Sequence, residues 1–194
     1  AYALQIELLK QRVNNVAGDA LLLLEHPPTI TIGKSGKLEN ILVSRAELSV
    51  RGIATLFVDR GGDVTYHGPG QLVGYPIIDL RHRGRDLHRY VYGLEEVLIR
   101  TLNDFGIRAG RDRSHRGVWV AGQEIAAIGL RVKKWVTMHG FALNINTDLE
   151  PFSLINPCGF SDRGATSMAA VLSQGVPTTA VTEKLLLRFS EVFD

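Results

Sequence analysis

The stretch from residue 60 to residue 71 combines residue types that can hold a carbonyl group or an anion. Its four glycines let the backbone approach a ligand closely, and their amides can form a cradle. Arg60 and His67 add polar side chains to the same stretch. It is not a Walker-type phosphate loop, because no Lys-Ser or Lys-Thr pair follows, and it is not a dinucleotide fingerprint. A glycine-rich hairpin connection around a buried histidine is the alternative interpretation.

Two further segments carry candidate catalytic groups. Cys158 is the only cysteine, and it lies between Pro157 and Gly159 in a predicted loop, a setting that reactive thiols favour. The alternative is a small buried hydrophobic residue, the usual role of a lone cysteine. His139 stands at the start of an apolar strand, where a structural role is the commoner one. No Cys, His or Asp spacing indicates zinc, and no pair of carboxylates indicates glycosidase chemistry.

The elements that must position these residues are a mixture of helices and short strands. Apolar residues between Leu4 and Val13 recur at helical spacing and predict an opening helix, and the strongest pattern predicts a helix from Asp86 that Gly106 terminates. Ser44 and Glu47 have the spacing of a capping box before a short helix. Strands are predicted over residues 20–25, 29–32, 54–58, 72–80, 117–120, 124–132 and 136–146, a glycine-rich loop over 61–70, and a last helix over about 180–193. Short turns join most strands, so we expect an α+β fold with a mixed, largely antiparallel sheet flanked by helices, in one domain over 1–194.

Composition places the chain among globular proteins. Hydrophobic residues make up 45% and charged residues 22% of its 194 residues. The longest aliphatic run, Leu21 to Leu24, is far shorter than the roughly 20 apolar residues that span a bilayer. The N-terminus lacks the basic and apolar regions of a signal peptide. A single cysteine excludes an internal disulfide and fits a reducing compartment, so we expect a cytoplasmic protein without a membrane partner.

Charge is concentrated in the middle of the chain. The formal net charge is only +2, but the segment from Arg81 to Arg116 holds nine arginines against five acidic residues. Such a segment indicates an acidic partner or substrate on one face, and a solvated surface is the alternative. Aromatic residues are sparse around these arginines, so no base-stacking platform for nucleic acid is predicted.

Five motifs together resemble the octanoyltransferases of lipoate biosynthesis. They are Glu25-His26-Pro27-Pro28-Thr29, the stretch 60–71, Ala126-Ala127-Ile128-Gly129, the stretch from His139 to Asn144, and Asn156-Pro157-Cys158-Gly159. The resemblance implies a biotin/lipoate-protein ligase-like fold. It also implies that an octanoyl or lipoyl group passes from acyl carrier protein to a lysine through a cysteine thioester. The family usually begins with a strand before the first helix, so its pattern implies a missing or unrecorded strand before Ala1.

The resemblance also assigns roles to individual residues. Cys158 is the implied nucleophile. The residues implied to bind the acyl group are Arg60, Gly61, Gly62, Asp63, Val64, Thr65, Tyr66, His67, Ala127, Ile128, Gly129, Gly140, Phe141 and Ala142. The implied partners are octanoyl-acyl carrier protein as donor, and the lipoyl domains of 2-oxoacid dehydrogenase complexes and the glycine cleavage H protein as acceptors. Transfer from a thioester to an amide is downhill, so no ATP, metal or other cofactor is expected.

One position departs from the family's pattern. The family places a lysine directly before the Ile-Ala-Ala-Ile-Gly stretch, where it activates the cysteine, and this chain has Glu124 there. A nearby cation lowers the pKa of a thiol, whereas a carboxylate raises it. Lys133 lies roughly 30 Å further along the predicted strand and cannot substitute unless the strand doubles back. Three explanations stay open: an impaired enzyme, a protonated Glu124 that serves as an acid, or another base such as His67 or His139.

Two rival functions also stay open. An ATP-dependent lipoate or biotin ligase would share the fold, but it needs a nucleotide phosphate site, and the sequence offers no convincing one. A non-catalytic relative that keeps the acyl site without the chemistry is favoured by Glu124 alone.

Overall fold

The strands of the protein form two separate sheets in a computed structural model that describes residues 1–156 and 164–194. The strands are β1 (Ala20–Leu24), β2 (Thr29–Ile32), β3 (Ala54–Phe57), β4 (Val64–His67), β5 (Gln71–Ile77), β6 (Val118–Val120), β7 (Gln123–Lys133) and β8 (Val136–Asn144). The larger sheet has the order β1-β5-β8-β7-β6, and all its neighbours are antiparallel. The smaller sheet has the order β3-β2-β4, in which β2 is parallel to β3 and antiparallel to β4.

Helices cover both faces of the larger sheet. The α-helices are α1 (Tyr2–Val13), α2 (Arg45–Val50), α3 (Leu87–Asn103), α4 (Met168–Leu172) and α5 (Thr178–Phe193). Helices α3 and α5 pack against each other and contribute to the main core, whereas α1 packs on β5 and β8. The expected α+β class with largely antiparallel sheets and flanking helices is confirmed.

The alternation of side chains along β8 explains how one strand serves two cores. Leu143 belongs to the cluster that contains Leu94 of α3, and Met138 packs with Leu9 of α1. The two β8 residues are an odd number apart, so they point to opposite faces of the sheet. Both are fully buried, and each such side chain contributes about 1.5–3 kcal/mol to folding.

The predicted start and stop of α3 and the predicted start of α2 are confirmed. The Asp86 side chain accepts a hydrogen bond from the Arg89 amide at 2.9 Å and caps α3. Gly106, just beyond this helix, has φ of +77°, a conformation that glycine adopts without strain. At α2, Ser44 Oγ accepts from the Glu47 amide at 3.2 Å.

The predicted glycine-rich loop over residues 61–70 is wrong in part, because β4 occupies its middle. Val64 and Tyr66 are buried and alternate with half-buried neighbours, the pattern of a strand with one face in a core. The flanking glycines concealed this short strand in the sequence. The stretch is therefore a turn, a strand and a second turn.

Three smaller features concern connections. Residues 25–28 join β1 directly to β2, although the two strands lie in different sheets. The strand predicted to reach Leu80 ends at Ile77, and a 3-10 turn covers Leu80–His82. Helix α4 was not predicted, since a helix of five residues carries little periodicity. No helix in the described ranges is long and apolar enough to cross a membrane.

Candidate active site

A large cavity of about 1100 Å³ lies between the two sheets. Its wall comes from β2 and β4 on one side and from β5, β7 and β8 on the other. The sequence-predicted residues that line it are Arg60, Gly61, Gly62, Asp63, Val64, Thr65, His67, Glu124, Ala127, Ile128, Gly129, Gly140, Phe141 and Ala142. Most of the predicted acyl-binding residues are thus brought together, although they come from three separate parts of the chain.

The turn from Arg60 to Gly62 joins the smaller sheet to β7. The Gly61 amide donates to the Leu130 carbonyl oxygen at 2.8 Å. A Cβ added to Gly129 would lie 3.0 Å from Arg60 Cδ and 3.2 Å from the Gly61 oxygen. Glycine at position 129 therefore permits this close approach. Because the Gly61 amide is already bonded within the chain, it is not one of the free donors expected for an acyl carbonyl.

Arg60 is 9% exposed and is held by Thr31 of β2. Its Nη2 donates to the Thr31 carbonyl oxygen and to Thr31 Oγ1, both at 2.8 Å, and its Nη1 donates to the Gly61 oxygen at 3.1 Å. These bonds fix the guanidinium against the cavity wall, where it supplies a positive charge.

Asp63 serves the local structure more than the cavity. Its Oδ1 accepts from the Val64 amide at 2.7 Å, and its Oδ2 accepts from Asn40 Nδ2 at 2.5 Å. Tyr66 is not among the residues that line the cavity. Its ring lies 5.4 Å from that of Phe152 in an edge-to-face arrangement within the core of the smaller sheet.

The floor of the cavity consists of paired residues on β7 and β8. Ala127 stands opposite Ala142, Ile128 opposite Phe141, and Gly129 opposite Gly140. A Cβ on Gly140 would lie 2.2 Å from the Gly74 oxygen of β5, so only glycine fits between the strands there. Small residues at four of these six positions leave space above the sheet.

His67 is a neutral imidazole with a defined orientation. Gln71 Nε2 donates to Tyr66 oxygen and to Asn144 Oδ1, so Gln71 Oε1 is an acceptor, and His67 Nδ1, 2.8 Å away, donates to it. His67 Nε2 is then the acceptor nitrogen, and it lies 3.4 Å from Thr31 Oγ1. Burial lowers the pKa of His67 to about 4.

His139 belongs to a polar junction at another part of the cavity. Its Nε2 lies 2.7 Å from Asp59 Oδ1, and its amide donates to Gln5 Oε1 at 2.8 Å. Asp59 also accepts from Tyr2 Oη at 2.8 Å and pairs with Arg131. Burial lowers the pKa of His139, with partial compensation from Asp59. His139 lies inside β8 rather than at its start, with φ of +56°.

Glu124 lies on the cavity wall near the start of β7. Its amide donates to the Gly164 oxygen at 3.0 Å, and its carbonyl oxygen accepts from the Thr166 amide at 2.9 Å. Its carboxyl group has no ion pair or hydrogen bond among residues 1–156 and 164–194. Burial raises the pKa of Glu124 to about 7. Strand β7 runs unbroken to Lys133, so it does not fold back toward Glu124.

Cys158, the predicted nucleophile, lies outside the described residues. The described residues that precede and follow its segment, Asn156 and Gly164, both line the cavity. Asn156 is bonded through its amide to the Asn40 oxygen at 2.8 Å. Both ends of the undescribed segment are therefore tied to the cavity wall, and Gly164 is bonded directly to Glu124.

The sequence analysis assigned no function to several residues that line the cavity. His26 Nε2 lies 2.6 Å from Tyr75 Oη, and burial lowers the pKa of His26 and raises that of Tyr75 to about 12. The motif Glu25–Thr29 contained His26 but no sign of its partner. Tyr2 and Gln5 of α1 also line the cavity, and their contacts join positions far apart in the chain, which no local pattern reveals.

Comparison with known proteins fits this arrangement. The family described as "Lipoyl protein ligase A/B catalytic domain" matches residues 1–190. An octanoyltransferase of Caldicellulosiruptor saccharolyticus is 55% identical over 100% of this chain and 83% of its own length.

Solved structures at lower identity share the fold. A lipoate-protein ligase A bound with ATP has a TM-score of 0.77 at 17% identity, covering 97% of this chain and 80% of its own. A bipartite lipoate protein ligase from Thermoplasma acidophilum has a TM-score of 0.73 at 18% identity, covering 97% and 78%. The ligase-like fold expected from the motifs is confirmed, and the chain belongs to the lipoyl protein ligase A/B catalytic domain family, with octanoyltransferases among its full-length relatives.

Proposed function

We propose that this chain transfers an octanoyl group from acyl carrier protein to a lysine of a lipoyl domain, through a thioester on Cys158. The observation that carries the proposal is the cavity between the sheets, whose wall is largely apolar and includes both ends of the segment that contains Cys158. Ligand cavities are typically about 300–1000 Å³, so about 1100 Å³ accommodates an acyl chain and the end of a thioester arm. The 55% identity to an octanoyltransferase supports the choice of acyl group.

The reaction consists of two acyl transfers. In the first, the Cys158 thiolate attacks the thioester carbonyl, and a bond from its sulfur to the acyl carbon forms. The bond from the acyl carbon to the carrier's sulfur breaks, and the carrier leaves as a thiol after taking up a proton. In the second, the neutral amine of the acceptor lysine attacks the Cys158 thioester, an amide forms as the bond from the acyl carbon to the Cys158 sulfur breaks, the Cys158 thiolate is restored, and the proton that the amine gives up returns to the group that protonated the carrier. No energy input is required, because an amide is more stable than a thioester.

Glu124 is the proposed acid and base of these steps. A carboxyl group with a pKa of about 7 is present in both protonation states near neutral pH. It can protonate the departing carrier thiolate and then accept a proton from the lysine. His67 is less suited, because its acceptor nitrogen lies against Thr31 and its pKa is about 4. His139 is less suited, because its Nε2 is bonded to Asp59.

The donor and acceptor proteins are part of the same proposal. The bipartite Thermoplasma ligase is described together with its E2 lipoyl domain, which supports a lipoyl domain as acceptor here. Lipoyl domains of 2-oxoacid dehydrogenase complexes and the glycine cleavage H protein are the proposed acceptors. One catalytic domain over residues 1–194 and a cytoplasmic location complete the proposal, supported by the family match over 1–190 and the single cysteine.

Mass spectrometry of the intact protein after incubation with octanoyl-acyl carrier protein tests the proposal. We expect one octanoyl adduct, lost in Cys158→Ala and discharged when a lipoyl domain is added. Binding of the donor without any adduct would instead identify a non-catalytic relative. A melting temperature that rises substantially with ATP, together with transfer that requires ATP, would favour the ligase alternative.

A further inference from the structure

The loop that precedes β6 forms part of the rim where the cavity meets solvent. Ser114, His115 and Arg116 line the cavity, and Ser114 and Arg116 are exposed. A donor that delivers its acyl group into the cavity passes this rim with the arm that carries the thioester. Groups on the rim can therefore recognise the part of the donor that stays outside.

The loop is anchored to α3. Arg111 Nε donates to Glu95 Oε2 at 3.0 Å, and its Nη2 donates to Glu96 Oε2 at 2.8 Å. The Arg111 guanidinium also lies 3.6 Å from the centre of the Tyr92 ring. At the other end of the loop, the Gly117 amide donates to Glu95 Oε1 at 3.2 Å. Both ends of the loop are thus fixed to one helix.

An aspartate folds the middle of the loop into a tight turn. Asp112 Oδ1 accepts from the Ser114 amide at 2.8 Å and from the His115 amide at 3.1 Å, and it lies 2.9 Å from His115 Nδ1. Its carboxylate is therefore engaged with groups of its own turn. Arg113 lies within this turn and Arg116 directly follows it, and both are exposed.

The structure separates the nine arginines of the basic segment into two groups. Those with a carboxylate partner are Arg81, Arg83, Arg100 and Arg111. Those without an ion pair among the described residues are Arg85, Arg89, Arg108, Arg113 and Arg116. Within the second group, Arg116 lines the acyl cavity, and Arg113 is in the same turn. Arg108 lies beside a separate small cavity.

We propose that Arg113 and Arg116 bind the phosphodiester at the base of the donor's thioester arm, as the acyl group enters the cavity. This inference rests on the proposed octanoyl transfer. Two guanidinium groups and the Ser114 hydroxyl on one short turn match a compact anion with several oxygens, since arginine binds phosphate through paired N–H donors. An extended acidic protein surface would instead call for arginines spread over several elements.

Binding of inert acyl-arm analogues tests the proposal without depending on catalysis. The two probes are octanoyl-pantetheine with NH in place of the thioester sulfur, and the same compound carrying a methyl phosphodiester at the 4′ position. Isothermal calorimetry should show that the chain binds the phosphodiester probe at least about tenfold more tightly, the effect of one good charged hydrogen bond. The preference should decrease as salt is raised.

Paired substitutions test which arginines cause the tighter binding of the phosphodiester probe. We expect the double variant Arg113→Gln/Arg116→Gln to lose it while binding the uncharged probe as before. The control Arg85→Gln/Arg89→Gln removes the same charge from two other arginines without ion pairs and should keep it. The proposal would be overturned if the unmodified chain bound both probes equally, or if the control lost the preference. It would also be overturned if the double variant kept the preference or bound both probes equally more weakly.

The outcomes also separate this inference from the proposed function. Acyl transfer without any phosphodiester preference would overturn the docking role alone. A preference carried by Arg113 and Arg116 in a chain that forms no acyl adduct would leave the docking role standing and refute the transferase. If the unmodified chain binds neither probe and forms no acyl adduct, both proposals fail.

Discussion

His139 Nε2 lies 2.7 Å from Asp59 Oδ1, a contact between residues 80 positions apart. Tyr2 Oη donates a hydrogen bond to the same carboxylate, and Arg131 forms an ion pair with it. Burial alone would raise the pKa of Asp59, but the hydrogen bonds from His139 and Tyr2 and the charge of Arg131 outweigh it, so that pKa is lowered. This junction ties α1, β7 and β8 to the segment that leads into Arg60, and it therefore holds the glycine turn in place.

Replacement of Asp59 should loosen this junction. In Asp59→Asn, we expect the pKa of His139 to fall further, because Asp59 raises it through a hydrogen bond and its charge. The free energy of unfolding should drop by about 1–3 kcal/mol, the range for a charged hydrogen-bonded group with buried partners. NMR titration of the histidines and chemical denaturation measure the two effects. Tyr2→Phe, which removes one hydrogen bond and no charge, should change the pKa of His139 much less. If that pKa fell equally in both variants, the charge of Asp59 would not be what raises it.

A matched pair of alanine variants should distinguish binding from stability in the glycine turn. Gly62 has φ of +88°, so Gly62→Ala should be strained and should destabilise the protein by about 1 kcal/mol or more. A Cβ on Gly61 meets only the Leu130 oxygen, at 3.4 Å, so Gly61→Ala should melt near the original temperature. Because Gly61 lines the cavity, its added methyl group should weaken octanoate binding. Unchanged octanoate affinity in the folded Gly61→Ala protein would assign this residue a purely structural role.

The sequence predicted those parts of the structure that depend on local patterns. Helix α3 was predicted because apolar residues such as Leu94 and Leu98 recur at helical spacing and Gly106 follows them. Most of the residues that line the cavity were predicted from the motif resemblance. Glu124 was singled out because it directly precedes the Ile-Ala-Ala-Ile-Gly stretch. The Asp59–His139 contact was beyond prediction, since it depends on how two sheets meet. Burial of Glu124, and hence its pKa, also depends on tertiary packing that no neighbouring residue reveals.

The ionisation of Glu124 should make stability depend on pH. Its pKa is raised from 4.5 to about 7 in the folded state, so folding favours its protonated form. Its favourable contribution is fully present below pH 4.5 and is lost as pH rises through 7. Relative to Glu124→Gln, the unmodified protein should lose about 2–3 kcal/mol between pH 4.5 and pH 8, allowing for solvent screening.

Urea denaturation of both proteins across this range measures the difference, and the glutamine variant serves as the matched neutral control. A difference in stability that does not change with pH would show that Glu124 titrates at an ordinary pKa. In that case it would be ionised at neutral pH and could not act as the acid in the first transfer.

The substitution Glu124→Lys restores the cation that the family's pattern places before the Ile-Ala-Ala-Ile-Gly stretch. We expect it to lower the pKa of the Cys158 thiol and to raise the rate of its acylation, because the reactive form of the thiol is anionic. One unit charge about 4 Å away at an effective dielectric near 20 is worth up to about 4 kcal/mol, or about three pK units. If Glu124 is neutral in the unmodified chain, one charge unit changes; if it is ionised, two change, and the sign is the same.

The pH dependence of alkylation by iodoacetamide measures this thiol directly, since Cys158 is the only cysteine. Gln123→Lys is the matched control: it introduces a lysine one residue earlier on β7, where the side chain is exposed and outside the cavity wall. Only the change at Glu124 should shift the alkylation profile strongly to lower pH. If the two lysine variants shift it equally, or if Glu124→Lys leaves it unchanged or moves it to higher pH, residue 124 does not act on Cys158, and its proposed catalytic role must be withdrawn.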